Sequence, residues 1–230
     1  QYQDFLRSEN ARKRYWLRSQ LGYPSFRDAS PNKAHQSLVQ LESFGIVHRL
    51  ITQNVDRLHQ KAGHKKVTDL HGRLDQVVCM DCGSIISRDQ IQSWLRDHNP
   101  HISGIEVEKS ALRPDGDADV GDKLIHEIEV PQCPSCSGLL KPNVVFYGST
   151  VNKEVVNYLL DRLRKAKALL VIGTSLMVYS SFRFCKYANE NQIPMACVNQ
   201  GLTRGDSLFS LKVGGDCSEV LNQLIGYLPE

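Results

Sequence analysis

Four of the seven cysteines fall into two Cys-x2-Cys pairs, Cys79/Cys82 and Cys133/Cys136, with 50 residues between Cys82 and Cys133. Two-residue spacing lets both thiolates of a knuckle face one ion, and two knuckles complete a tetrahedron with no open position. The pattern points to one structural zinc ion rather than a catalytic one. It also constrains the fold: two distant segments must return to a single point. The insert is longer than in the usual zinc ribbon. A redox dithiol and incidental cysteines are the competing readings. A disulfide framework would be more evenly spread and would suit a smaller secreted chain, and here the other three, Cys185, Cys197 and Cys217, are scattered.

Texture divides the 230-residue chain into parts. Residues 1 to 45 read as helical, with no Gly or Pro over 12–20 and a second amphipathic run opened by Pro31-Asn32-Lys33. Residues 47–52 read as a buried strand that ends in a polar loop. Residues 73–140 hold both cysteine pairs and a loop-like stretch over 98–130, including Arg113-Pro114-Asp115-Gly116-Asp117, a cluster of turn formers. They read as an inserted module with a poor core of its own.

From Lys141 onward strands and helices alternate. Asn152 is placed to cap a helix with Val155, Val156, Leu159, Leu160 and Leu163 on one face. Residues 168–172 form a continuous apolar strand that stops at Gly173-Thr174-Ser175, a helix follows over about 181–190, and a strand over 195–198 stops at Asn199-Gln200-Gly201. Ser218 is expected to cap a last helix. The alternation predicts an α/β chain built on a doubly wound parallel sheet, and ligands in such sheets bind beyond the carboxyl ends of the strands. The loops 53–56, 173–175 and 199–201 stand at those ends and are expected to form one crevice. No G-x-G-x-x-G or P-loop motif occurs.

Composition excludes little. The net charge of +3 is too small to argue for nucleic acid or a membrane surface, and no apolar run reaches membrane-spanning length. The first residues, Gln1-Tyr2-Gln3-Asp4-Phe5, resemble neither a signal nor a transit peptide and lack an initiator Met, so the chain is expected to be a processed or trimmed fragment.

Taken singly, the polar residues say less. His71, in Asp69-Leu70-His71-Gly72, is a lone histidine that reads equally as structural or surface-exposed. Gly173, Thr174 and Ser175 offer amides and hydroxyls to phosphate or ribose oxygens. Asn199 suits ribose hydroxyls and suits a turn.

Taken together, the residues resemble the sirtuins. The match runs through Thr52-Gln53-Asn54-Val55-Asp56-Arg57-Leu58-His59, Leu70-His71-Gly72 and the two cysteine pairs. It continues through Leu140-Lys141-Pro142-Asn143-Val144-Val145-Phe146-Tyr147-Gly148, Gly173-Thr174-Ser175-Leu176, Val198-Asn199 and Gly215-Asp216-Cys217, in the family's order. Arg14-Tyr15-Trp16-Leu17-Arg18 and the loop around Leu112–Asp117 look most like the mitochondrial class II members. The resemblance implies a Rossmann-like NAD-binding domain over 1–72 and 141–230, partly helical over 1–45, and a zinc-binding small domain over 73–140.

It also implies an NAD-dependent protein-lysine deacylase favouring acidic or long acyl groups, a monomer of the mitochondrial matrix acting on acyl-lysine proteins or peptides, with no nucleic-acid or membrane partner. His71 would be the catalytic base. Gln53, Asn54, Val55 and Asp56 would serve the nicotinamide half of NAD, and Gly173, Thr174, Ser175, Asn199, Gln200, Gly201 and Cys217 the ADP-ribose half. Val144, Phe146, Gly148 and the segment around Val178 would align the acyl-lysine peptide. Tyr15 and Arg18 have the Tyr-x-x-Arg spacing that class II relatives turn toward acidic acyl chains, and a solvated helix face is the competing reading.

One departure stands out. The family's Gly-Ala-Gly phosphate loop, first strand and cofactor loop would precede Gln1, so a chain that truly began there is expected to bind NAD weakly. Two other activities fit the residues less well: protein mono-ADP-ribosylation at the same site, and a zinc-ribbon interaction module without catalysis.

Overall fold

The computed structural model describes residues 1–102 and 125–228, so the expected turn cluster around residues 112–117 lies outside the described residues. Along the chain the elements are α1 (Tyr2–Arg7), α2 (Glu9–Arg27), α3 (Lys33–Ser43), β1 (Leu50–Thr52), α4 (Leu58–Lys61), β2 (Val67–Asp69), β3 (Gly72–Cys79) and β4 (Ile85–Ser87). They continue with α5 (Arg88–His98), β5 (Leu140–Val144), α6 (Lys153–Arg164), β6 (Leu169–Ile172), α7 (Tyr179–Glu190), β7 (Met195–Val198), β8 (Leu211–Val213) and α8 (Cys217–Ile225). They fall into two compact units.

The first unit comprises Gln1–Ala29, Asn54–Arg57 and His71–Thr150. Its sheet is antiparallel, in the order β4-β3-β5, with Val77 opposite Ile86 on one side and Pro142 on the other. The module was expected to have a poor core, and this is corrected. Val77, Cys79 and Leu140 of the sheet pack with Ile91 and Leu95 of α5, and α2 adds Trp16 and Leu17, both fully buried. Nine of the eleven buried residues of this core lie within 73–140, and α2 completes it from more than fifty residues away in sequence. Arg88 is buried in the same core, donating to the carbonyl and hydroxyl of Ser19 at 3.1 and 3.0 Å and stacking 4.4 Å from the Tyr23 ring. Cation–π contact and two acceptors offset part of the cost of burying that charge.

The second unit comprises Ser30–Gln53, Leu58–Leu70 and Val151–Glu230. Its strands pair in parallel, as a two-stranded set β1-β2 and a three-stranded set β6-β7-β8, with helices between them in sequence. This is the α/β class that the alternation predicts. Asn152 caps α6 as expected, its side chain accepting from the Glu154 amide at 2.8 Å, and Val156, Leu159 and Leu163 face inward. The cap of α8 is Asp216, not Ser218: the Asp216 carboxylate accepts from the amides of Ser218 and Glu219 at 2.8 and 3.2 Å. Ser218 is already inside the first turn, where it donates rather than caps. Leu38 and Leu41 of α3 and Leu221 of α8 form the buried contact between those helices. Among the described residues no helix is long and apolar enough to cross a membrane.

Candidate active site

The cysteines converge. The sulfurs of Cys79, Cys82, Cys133 and Cys136 all lie within 4.8 Å of one another. Cys79 Sγ is 3.6 Å from Cys136 Sγ, and Cys82 Sγ is 3.7 Å from Cys133 Sγ. Zinc–thiolate bonds of about 2.3 Å in a tetrahedron place the sulfurs roughly 3.8 Å apart, close to the two separations above, and all four sulfurs lie near enough to share one ion. Matching backbone turns build the two knuckles. Gly83 N donates to Cys79 O and Cys79 N to Ser84 O; Ser137 N donates to Cys133 O and Cys133 N to Gly138 O. No position is left for water or substrate, as a structural site requires.

In the same unit His71 leads directly into β3. Its neighbour Gly72 has φ 82°, and a Cβ there would collide with the carbonyl oxygen of Asn143 and approach Val144 Cα to 2.9 Å. Only glycine lets the start of β3 cross the end of β5 so closely. The His71 carbonyl accepts from Val145 N at 2.8 Å, which ties the half-buried histidine to the end of β5 at Val144 and the segment just beyond it that carries Phe146. Leu74 N donates to Val55 O at 3.0 Å, fixing the segment with exposed Asn54 and half-buried Val55 and Asp56 beside β3.

Lys141, which sequence reasoning passed over, is buried in β5. Its ammonium donates to the carbonyls of Pro142 and Val144 at 2.7 and 2.6 Å and lies 4.9 Å over the Phe146 ring. Burial pushes it down to about 8. The available signal was a single charge inside the apolar run Leu139–Val145. Phe146 also meets Phe5 at 5.3 Å and Tyr15 at 5.5 Å, so two expected substrate residues, Tyr15 and Phe146, share one aromatic cluster. Tyr15 and Arg18 are half-buried on α2 rather than on a solvated face, and Gly148 is exposed with φ 85°.

The second unit gathers the strand-end residues. Gln53 Nε2 donates to Thr174 Oγ1 at 3.0 Å, joining the end of β1 to the end of β6. Gly173 N donates to Val198 O at 3.0 Å, and Cys217 Sγ sits 3.6 Å from the same carbonyl. A Cβ on Gly173, whose φ is 58°, would lie 3.4 Å from that sulfur. Asn199 turns its amide onto Gly201 O at 2.8 Å, the turn role that its sequence left open. Ser175, Gln200 and Gly201 are exposed, and Val178 caps α7 in extended backbone. The polar groups expected at the strand ends of this unit are therefore neighbours, and Gly173, Ser175, Gln200 and Gly201 among them are exposed.

The same unit holds a histidine cluster that spacing did not reveal. The rings of His35 and His59 are 4.6 Å apart, those of His59 and His64 are 6.3 Å apart, and His64 Nδ1 is 2.8 Å from Glu42. Burial, then the neighbouring histidines, push His59 down to about 4.

A Sir2 family model matches residues 1–180. The chain is 46% identical over 224 residues to "NAD-dependent protein deacetylase 2" of Bradyrhizobium diazoefficiens, covering 97% of this chain and 81% of that one. It is 43% identical over 221 residues to the human "NAD-dependent protein lipoamidase sirtuin-4, mitochondrial", covering 96% and 69%. Among solved structures, Sir2Tm bound to a propionylated peptide matches with a TM-score of 0.76 at 26% identity, covering 98% of this chain and 81% of that one. Sir2 bound to acetylated peptide matches with a TM-score of 0.68 at 27% identity, covering 88% and 72%.

Proposed function

The chain belongs to the Sir2 family, and from that premise we propose that it is an NAD-dependent protein-lysine deacylase with His71 as its general base. An acyl-lysine, NAD and one water go to free lysine, nicotinamide and O-acyl-ADP-ribose. The observation that carries the reading is the Gly72 crossing: it immobilises His71 by its own backbone against the end of β5 at Val144 and the segment that carries Phe146.

NAD, when bound, supplies a ribose C1′ that becomes electron-poor as nicotinamide leaves. Gln53 and Asn54 hold the nicotinamide ribose, Val55 lines its base, and Asp56 accepts the carboxamide. Gly173, Thr174, Ser175, Asn199, Gln200, Gly201 and Cys217 hold the ADP-ribose half, several through backbone atoms. Val144, Phe146 and Gly148 in one unit, and Val178 in the other, each offer backbone to the peptide by strand addition. An imidazole, with an ordinary pKa of about 6.5, is neutral enough at roughly pH 7 to 8 to take the proton of a ribose hydroxyl on a ring nitrogen. That is the role of His71. Cys79, Cys82, Cys133 and Cys136 hold zinc as a structural ion.

Acidic acyl groups are the favoured substrates in this reading. Support comes from Tyr15 packed at 5.5 Å on Phe146, with Arg18 one turn further along the same helix. Location follows the relatives no further than their names: the human protein is named as mitochondrial, and the equally similar Bradyrhizobium protein is bacterial. The decisive experiment measures NAD-dependent nicotinamide release with acetyl- and glutaryl-lysine peptides. His71→Ala is expected to lose at least about 100-fold in rate while keeping zinc content and unfolding midpoint. A wild-type rate in that variant ends the reading. Equal turnover of the two acyl groups removes the acidic preference, and mass gain by the target protein instead of acyl loss assigns ADP-ribosyl transfer.

A further inference from the structure

The second unit carries a groove that none of these roles uses. It encloses about 310 Å³ and is lined by Tyr179, Phe182, Lys186, Glu190, Arg204 and Leu208, among others. It begins where the exposed apolar run Met177, Val178 and Tyr179 ends. Its cations are held against rings. The Arg204 guanidinium lies 4.4 Å over Phe182 and donates to Met177 O at 3.4 Å, and that of Arg183 lies 5.3 Å from the ring of Tyr179, a lining residue. A guanidinium stacked by its face keeps its edge N–H groups directed outward, which is the geometry that takes a carboxylate.

These cations have no anion. Elsewhere in the unit Lys212 pairs with Asp206, and Arg164 and Lys165 both pair with Asp161. Arg183, Lys186 and Arg204 have no carboxylate partner among the described residues, and Arg183 Nε is buried without an acceptor. Glu190, at the far end of α7, is the one acid in the lining. Two lining cations, Lys186 and Arg204, against one acid, with Arg183 next to Phe182 in sequence, attract negative charge. They are too few to track a nucleic-acid backbone, whose binding rests on many phosphate contacts.

We propose that this groove is a specificity subsite for the protein substrate, taking the carboxylate of an Asp or Glu in the segment that flanks the acyl-lysine. The proposal rests on the deacylase reading, in which Val178 lies along the peptide. Arg183 and Arg204 supply forked donors, Lys186 supplies a point charge, and Tyr179 and Phe182 cover the side-chain stem. The subsite selects among acyl-lysines by their neighbours, independently of the acyl group.

The test uses the full chain with NAD and acyl-lysine peptides of one length, with Glu or Gln at successive flanking positions. The readout is the Glu-to-Gln ratio of kcat/KM. At one or two positions the ratio is expected to be roughly fivefold, carried by KM, and to shrink as salt rises. Arg183→Gln with Lys186→Gln brings it to about one, and Lys186→Glu inverts the preference toward a Lys-flanked peptide. A ratio of one at every position in the wild type, or one that survives the double substitution, overturns the subsite. If no peptide is deacylated, the deacylase reading fails by itself; peptide affinity by fluorescence anisotropy then still reads the groove, and equal Kd for Glu and Gln peptides overturns it. Binding of a single-stranded oligonucleotide that the double substitution abolishes, with no peptide preference, also overturns it.

Discussion

Gly72 and Asp216 show how single residues fix the ends of elements. At Gly72 a methyl group has nowhere to go, because what it meets is the backbone of Asn143 and Val144 rather than a movable side chain. Gly72→Ala is therefore expected to cost about 2 kcal/mol or more and to lower activity beyond the loss of fold, because the His71 backbone must shift. Urea denaturation and nicotinamide release on the same preparation separate the two effects. At α8, Asp216→Ala is expected to cost about 1 kcal/mol and Ser218→Ala under about 0.5 kcal/mol. The reverse order would restore the serine as the cap. Both residues are good cappers two positions apart in sequence. Only the extended backbone of Asp216 decides between them.

Among the elements, β3, β5 and α2 form the working group of the first unit. β3, eight residues long, brings Cys79 to the zinc knuckle at one end and Gly72 to the crossing at the other. The metal cluster and the His71 backbone thus share one strand, and loss of zinc is expected to reach the histidine. Chelation, or Cys136→Ser, should release about one zinc per chain and unfold the sheet, as seen in metal content and in the tryptophan signal of Trp16. Activity that persists after complete zinc removal would separate the two ends of β3. Trp16→Ala, which empties the centre of the same core, is expected to cost about 3–5 kcal/mol. The cysteine spacing was legible because ligand geometry is local. The contribution of α2 was not, because nothing near Trp16 or Leu17 names the residues they pack on.

On the scale of the whole molecule, charge sets the pH range. His59 is held down to about 4 against an ordinary 6.5, so the unfolded chain binds the extra proton between those values and stability falls as pH drops from 6.5 toward 4. Lys141 is held down to about 8 against 10.5, so stability rises as pH climbs between those values. Both effects place the stability optimum on the alkaline side of 6.5. Urea midpoints across pH 5 to 9 check this, and His59→Gln should flatten the acid limb; an optimum near about pH 5 contradicts both assignments. The division into units also belongs to this scale. Texture suggested a boundary at residues 73 and 141, whereas contacts group residues 1–29 and 141–150 with the cysteine module, because β5 pairs with β3 and α2 fills their core. By itself the sequence determined the zinc ligands, the alternation of strands and helices and the ordered motif residues, all of which are written in local spacing or periodicity. Tertiary structure alone decided the core of the cysteine module, the void that only Gly72 fits, the histidine cluster and the unpaired cations of α7. These depend on residues far apart in the chain, and long-range contact leaves no period to read.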